Sequence, residues 1–398
     1  MGVITVFNKY FERIDILRKY TFMQYTDKFN GVGEFKINAI LCDENLYLLD
    51  EKEVFFVAFD RTTMGRIDKV VKDSDSEFEQ TLEITGRMIK YKLQTSVVYK
   101  QQIYSGRTAE VVKQLVKNNM CVGSTGDKRY INFEFYIQGD RFSEMTMINN
   151  GQWTGGSVYD AIQPLLQADS MGFEIKPVIT ERYEIAASAP ITNIRKWYFN
   201  ILLGEDRTRN NQRGNKPIVF SHSLSNLTRS TYEKDMKEYC NVAYVAGEGE
   251  GNNRTWIEVY QDGVKGTEYE WDAIGWLRDE LFVDARDLQK ITDNKTYTDT
   301  EYNEILTQRG NEYLKEHIVF VSYDSTVTNE NENEKYKYQR DFYNGDFVTI
   351  VDNELGITVD AQITAVTKSV EGSREILDIT FGYRSIQMNE KLRRKGVI

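Results

Sequence analysis

Proline, histidine and cysteine are all scarce in this sequence, and each scarcity excludes something. Only 4 of the 398 residues are proline, and Pro164, Pro177, Pro190 and Pro217 all lie in one central stretch. With His222 and His317 as the only histidines, imidazole chemistry has little to draw on. H-E-x-x-H, G-x-S-x-G and G-x-x-x-x-G-K-[ST] are absent. Cys42, Cys121 and Cys240 are too few and too scattered for a disulfide framework or a cysteine zinc site, so a reducing cytoplasm is expected. No apolar run approaches the ~20 residues a membrane helix needs. The N-terminal MGVITVFNKYFERI has no basic start before an apolar stretch, so no secretory signal is expected. Basic blocks are missing too. Lys and Arg number 50 against 61 Asp and Glu, and a net charge of −11 gives no footprint for gripping nucleic acid or an anionic membrane.

What the chain has in plenty is aromatic residues, with 25 Tyr and 20 Phe, which favours strands. Glu34–Leu41 alternates, with Phe35, Ile37, Ala39 and Leu41 on one face. Val54–Asp60, Arg66–Lys72 and Phe78–Gly86 continue the pattern, and short strands at this spacing suggest a small barrel or sandwich. Apolar residues at helical spacing predict a helix capped by Ser105 and another capped by Ser157, the latter kinked or shortened by Pro164. The proline-bearing middle of the chain is expected to be a separate module, with Gly204–Lys216 as an exposed loop. Further on, a short helix is expected at Tyr232–Glu238 and a hairpin from Asn241–Ala246 to Arg254–Tyr260. An amphipathic helix follows at Thr300–Glu316. Strands are expected at His317–Tyr323, Asp346–Val351, Ile357–Val366 and Glu375–Tyr383, with a solvated loop at Thr328–Lys337.

One pattern recurs. Ile67-Asp-Lys-Val70-Val-Lys72, a polar turn, then Leu82-Glu-Ile84-Thr85-Gly86 resembles Ile363-Thr-Ala-Val366-Thr-Lys368, a polar turn, then Leu377-Asp-Ile379-Thr380-Phe-Gly382. Either two hairpins share ordinary β chemistry or the chain carries two copies of one barrel, the second split by insertions. Two similar barrels per chain would let three chains build a ring with approximate six-fold symmetry.

Chemistry-bearing clusters are weak. The densest carboxylate run holds Arg278, Glu280, Asp284, Arg286 and Asp287, and its alternating signs fit a salt-bridged or intersubunit surface more simply than a glycosidase pair. Asp73-Ser-Asp75-Ser-Glu77 has calcium-like spacing but lacks the Gly and distal Glu of an EF-hand. Trp153, Trp271 and Trp276 could stack on sugars, although isolated Trp residues are more often core or interface anchors. His222 and His317 read as strand-edge residues. No catalytic residue, cofactor or metal is assigned.

Six segments in order resemble the siphophage tail-hub proteins, the gene-product-thirty-seven-like group related to the N-terminal module of tail-associated lysins. They are Phe29-Asn-Gly-Val-Gly-Glu-Phe-Lys-Ile, Ser105-Gly-Arg-Thr-Ala-Glu-Val-Val, Leu224-Ser-Asn-Leu-Thr-Arg-Ser-Thr-Tyr, Asn241-Val-Ala-Tyr-Val-Ala-Gly-Glu, Arg278-Asp-Glu-Leu-Phe-Val-Asp-Ala-Arg-Asp and Tyr343-Asn-Gly-Asp-Phe-Val-Thr-Ile. The resemblance implies a homotrimeric hub at the tail tip in which two tube-like barrels per chain make a pseudo-hexameric ring. It also implies a distal tail protein, a tape-measure protein and receptor-binding or tail-fibre proteins as partners, with assembly in the host cytoplasm. Such a trimer would carry −33, three times −11, suited to a channel through which DNA slides without specific binding.

The expected fold is therefore mainly β with inserted α+β segments, two small tube-like β-barrel domains and helical or peripheral insertions, baseplate-hub-like. Its divisions are 1–98 for the first barrel, 99–217 for an inserted α+β domain, 218–265 with 317–385 for the second barrel, 266–316 for a helical insertion and 386–398 for a tail. Because the chain ends at Ile398 soon after its last strand, no fused peptidase or lysozyme is expected. The rivals to a structural hub are a phage-tail hydrolase of cell-wall or capsule glycan working near Glu280 and Asp284, and a carbohydrate-binding adhesin.

Overall fold

The computed structural model describes residues 3–49, 54–73, 80–121, 131–139, 147–182, 191–227, 229–261, 264, 273–292, 295–327, 336–353, 356–372 and 374–382. The fold is mainly β. Among the described residues, thirteen strands join one sheet and the others form three smaller sheets. Alternation builds the large sheet: Phe35, Ile37 and Ala39 of Glu34–Ile40 are buried, while Lys36 and Asn38 point to the other face. Burial of one such side chain contributes about 1.5–3 kcal/mol.

Five strands form a first unit, in spatial order Tyr20–Lys28, Glu34–Ile40, Thr81–Met88, Met64–Asp73 and Phe56–Ala58. Ile4–Phe7 and Arg13–Leu17 extend it. A second unit runs Arg229–Asp235, Phe320–Val327, Arg374–Gly382, Ile357–Glu371 and Phe347–Asp352. The two units share one spatial order and one chain order, the second interrupted by the segment between its first two strands.

The recurring motif occupies equivalent hairpins. Ile67 pairs with Gly86; then, past one extra residue, Lys69 pairs with Thr85, Val70 with Ile84 and Lys72 with Leu82. Likewise Ile363 pairs with Phe381; past one extra residue, Ala365 pairs with Thr380, Val366 with Ile379 and Lys368 with Leu377. Generic β propensity favours strands but does not place a bulge at the same step of the same register, so these hairpins are copies of one design.

Closed barrels, however, are not what the strand pairing shows among the described residues. The first unit's Tyr20–Lys28 pairs not with its own far strand but with Ile357–Glu371 of the second, so both units lie in one open, shared sheet. The segment expected as a helix at Tyr232–Glu238 is instead largely strand, because Arg229–Asp235 makes seven antiparallel pairs with Phe320–Val327. Thr328–Lys337 falls for the most part outside the described residues, as do Ser74–Glu77 of the calcium-like run and the stretch 386–398.

Among the described residues three α-helices lie outside the sheet: α1 (Thr108–Met120), α2 (Val158–Ala168) and α3 (Asp299–Glu316). Ser105 does not cap α1. It lies in the strand Gln102–Arg107, held by pairing with Met147–Trp153, and the helix starts after Arg107. Ser157 does cap α2, its hydroxyl accepting from Asp160 N–H at 3.0 Å. Pro164 sits inside α2 and costs it one backbone hydrogen bond, and the helix is only 11 residues long. A continuous core runs from Phe7 and Phe56 through α1 and α2 to Phe199 and Leu203, so the central segment packs directly on the first unit. A separate cluster beneath α3 includes Val245, Val283 and Leu306.

Glu312 of α3, only 16% exposed, lies 4.0 Å from Arg309, and burial holds its carboxyl above the ordinary carboxylate range. A folded-state value above the unfolded one means stability is fully present at low pH and declines as pH rises from ~4.3 through the raised value. The urea midpoint of the wild type is expected to fall across that window relative to that of Glu312→Gln. Parallel pH profiles would contradict this.

Candidate functional site

Alternation leaves the large sheet with one polar face. In the first unit it carries Gln24, Thr26, Lys36, Asn38, Glu83, Thr85 and Arg87; across the seam it continues through Thr367, Asp378 and Thr380, all partly exposed. A groove of about 510 Å³ hollows this face, lined among others by Gln24, Thr26, Lys36, Asp68, Arg87 and Thr367. The cations here are matched. Lys36 Nζ meets Glu83 at 2.6 Å and Arg87 Nε meets Asp68 at 2.7 Å. The hollow face is thus rich in hydroxyls and amides, and its Lys36 and Arg87 are ion-paired.

At the seam, Thr26 and Thr367 share a hydroxyl hydrogen bond of 2.8 Å. Just beyond it, two of the six sequence segments meet. Phe29 is 2% exposed; its N–H donates to Thr364 O at 2.8 Å and its carbonyl accepts from Phe173 N–H at 3.1 Å. Gly345 lies against its ring, in a backbone conformation of φ +100° that glycine tolerates best. The Asn344 amide donates to Asp27 O at 2.9 Å. The first unit, the central segment and the second unit are joined at this one residue.

Two buried charges reinforce the junction, and neither stood out in the sequence. Lys90, 4% exposed, reaches Asp27 at 2.9 Å and donates to the Lys28 carbonyl. Asp346 accepts from Glu205 N–H, Tyr343 N–H and Arg207 Nε, each at 2.9 Å. Arg207 belongs to Gly204–Lys216, expected as an exposed loop; its first part is instead stitched to the sheet, Phe347 N–H donating to Glu205 O at 2.9 Å. The aspartate of Tyr343-Asn-Gly-Asp was the only visible signal for this latch.

The acidic run divides into three local arrangements. Arg278 stacks over Tyr244 and Tyr260 at 5.4 and 5.8 Å and ion-pairs with Glu280 at 2.6 Å and with Glu258. Asp284 holds Arg254 at 2.6 Å and Arg286 at 2.5 Å, and these pairings bring its carboxyl down to about 2. Asp287 turns toward α3, meeting Arg309 at 3.0 Å. A general acid needs a raised carboxyl, and Asp284 is shifted the other way. The segment beginning at Asn241 meets this run, Val242–Ala246 lying parallel to Glu280–Asp284, with Asn241 Nδ2 donating to Leu277 O at 2.7 Å. Of the tryptophans, Trp153 stacks on Tyr104 at 6.2 Å, Trp276 is fully exposed and Trp271 lies outside the described residues. His222 follows the strand Val219–Ser221, and His317 caps the C-terminus of α3.

Residues 3–383 match the family model described as Siphovirus ReqiPepy6 Gp37-like protein. The chain belongs to this siphovirus tail protein family. No curated protein matches it. Among solved structures it is similar to the tail protein from Neisseria meningitidis MC58, with 11% identity, TM-score 0.54 and coverage of 97% of this chain and 98% of that one. Prophage tail protein gp18 from Listeria monocytogenes EGD-e matches at 13% identity and TM-score 0.45, covering 99% of each chain. The prophage MuSo2 43 kDa tail protein from Shewanella oneidensis matches at 11% identity and TM-score 0.49, covering 95% of this chain and 98% of that one. The fold is that of phage tail proteins.

Proposed function

We propose that this chain is the hub of a phage tail tip, acting structurally rather than catalytically. Three copies close into a ring of six β units, match a six-fold tube above to a three-fold tip below, and pass DNA during infection. The observation that carries this reading is the duplicated five-strand unit, with its shared register and bulge. Two equivalent units per chain turn a three-fold assembly into a pseudo-six-fold one. The hollow polar face lines the channel; its lysine and arginine are already neutralised by Glu83 and Asp68, so a passing polyanion finds little to bind. The segments 1–98 and 218–235 with 317–385 supply the ring, and 99–217 and the insertion between 235 and 317, whose strands Val242–Ala246, Trp256–Tyr260 and Glu280–Asp284 form a sheet of their own, lie outside it. Its partners are a distal tail protein, a tape-measure protein and receptor-binding or fibre proteins, and its place is the virion tail tip after assembly in the host cytoplasm.

Electron microscopy of the purified protein mixed with its phage's distal tail protein tests this. Rings with three-fold symmetry are expected, closed before infection. Particles without three-fold symmetry would overturn the proposal. Hydrolysis of purified host wall that is lost in Glu280→Gln would favour the enzyme instead.

A further inference from the structure

The intramolecular seam carries more information than its own contacts. In the seam, Tyr20–Lys28 of the first unit pairs with the second half of Ile357–Glu371, placing Lys28 opposite Ala365, Thr26 opposite Thr367, Tyr25 opposite Lys368 and Gln24 opposite Ser369. The strand equivalent to Tyr20–Lys28 in the second unit is Arg229–Asp235. Tyr25 faces Phe35, which faces Gly86; Tyr232 faces Tyr323, which faces Phe381. Among the described residues, Arg229–Asp235 pairs on one side only. The strand equivalent to Ile357–Glu371 is Met64–Asp73. Phe56–Ala58 covers only its Met64–Arg66 portion, leaving the Lys69–Asp73 edge without a strand partner among the described residues. Each chain therefore makes one seam internally and presents the two halves of a second.

We infer that these halves join between neighbouring chains: Arg229–Asp235 of one copy pairs antiparallel with Lys69–Asp73 of the next, in the register of the internal seam. This rests on the ring reading above and adds the residues that close it. The register places Asp235 opposite Lys69, Lys234 opposite Val70, Glu233 opposite Val71, Tyr232 opposite Lys72 and Thr231 opposite Asp73. Three features support it. The Tyr232–Lys72 pair repeats the Tyr25–Lys368 pair of the internal seam in residue type. In this register exposed Lys69 faces exposed Asp235, with Glu233 on its diagonal on the same face, so the edges offer an opposite-charge pair there. Finally, a long bare strand edge invites uncontrolled pairing, and a head-to-tail contact that closes into a ring removes it.

The test uses the full chain with paired cysteines. Val71→Cys with Glu233→Cys puts facing positions of the proposed register in reach, whereas Val71→Cys with Lys234→Cys is one residue out and directs the two side chains to opposite faces. Under mild oxidation the first pair is expected to give covalent dimers and trimers on a non-reducing gel, beyond those of the Val71→Cys single variant; the second pair is expected to give none. Independently, Lys69→Glu is expected to weaken association, with recovery on adding Asp235→Lys. A wild type of trimeric mass whose cross-links come from the offset pair, or from neither, would overturn the register while leaving the ring intact. A wild type that stays monomeric even beside the distal tail protein, with no cross-linking in either pair, would overturn the ring and the seam together.

Discussion

Gly345→Ala is expected to lower stability by about 4 kcal/mol, read as a large drop in the urea midpoint. Two costs combine. At φ +100° any side chain is strained, which accounts for about 1–3 kcal/mol. In addition, the new Cβ would lie 2.1 Å from Cε2 and 2.6 Å from Cδ2 of Phe29, and overpacking adds about 1–3 kcal/mol. Phe29 cannot easily move, because its backbone is bonded to Thr364 on one side and Phe173 on the other. Gly356→Ala is the control: its φ is +63° and nothing lies within 4 Å of the added carbon, so only the backbone cost of about 1 kcal/mol remains. Equal effects of the two substitutions would show that the junction at Phe29 yields freely.

Asp346→Ala is expected to cost about 3–5 kcal/mol, the range for removing one partner of a buried ion pair. The aspartate side chain is 3% exposed and that of Arg207 14%. Alanine would leave the guanidinium with the Glu205 carboxylate alone and also leave the Glu205 and Tyr343 amides without their acceptor. Asp346→Asn keeps one accepting oxygen and is expected to fall between alanine and wild type in urea unfolding. If alanine cost no more than an exposed substitution, within about 0.5 kcal/mol, the latch would contribute nothing to holding Gly204–Lys216 on the sheet.

Strands were legible where alternation was strong, as in Glu34–Ile40, and helices where an apolar stripe was present, as in α3, or agreed with a cap, as in α2. The repeat was legible as a pattern, but its meaning was not: only pairing reveals that both copies bulge at the same step. Tyr232 and Met236 sit four apart and imitate a helical face, whereas strand Phe320–Val327, some ninety residues away in the chain, decides the outcome. Gly204–Lys216 is rich in turn and charged residues, and nothing local shows that Arg207 is held by an aspartate at position 346. The acidic run beginning at Arg278 alternates in charge. The direction of each carboxylate, toward Arg278, toward Arg254 and Arg286, or toward Arg309, is set by elements distant in the chain.

The central claim is that three chains close into one ring, and light-scattering mass across a wide concentration range tests it most directly. With the distal tail protein present if the chain alone does not assemble, the account requires a species containing three chains of 46.4 kDa. A stable dimer at every concentration, or a chain that stays single even beside its partner, would contradict it.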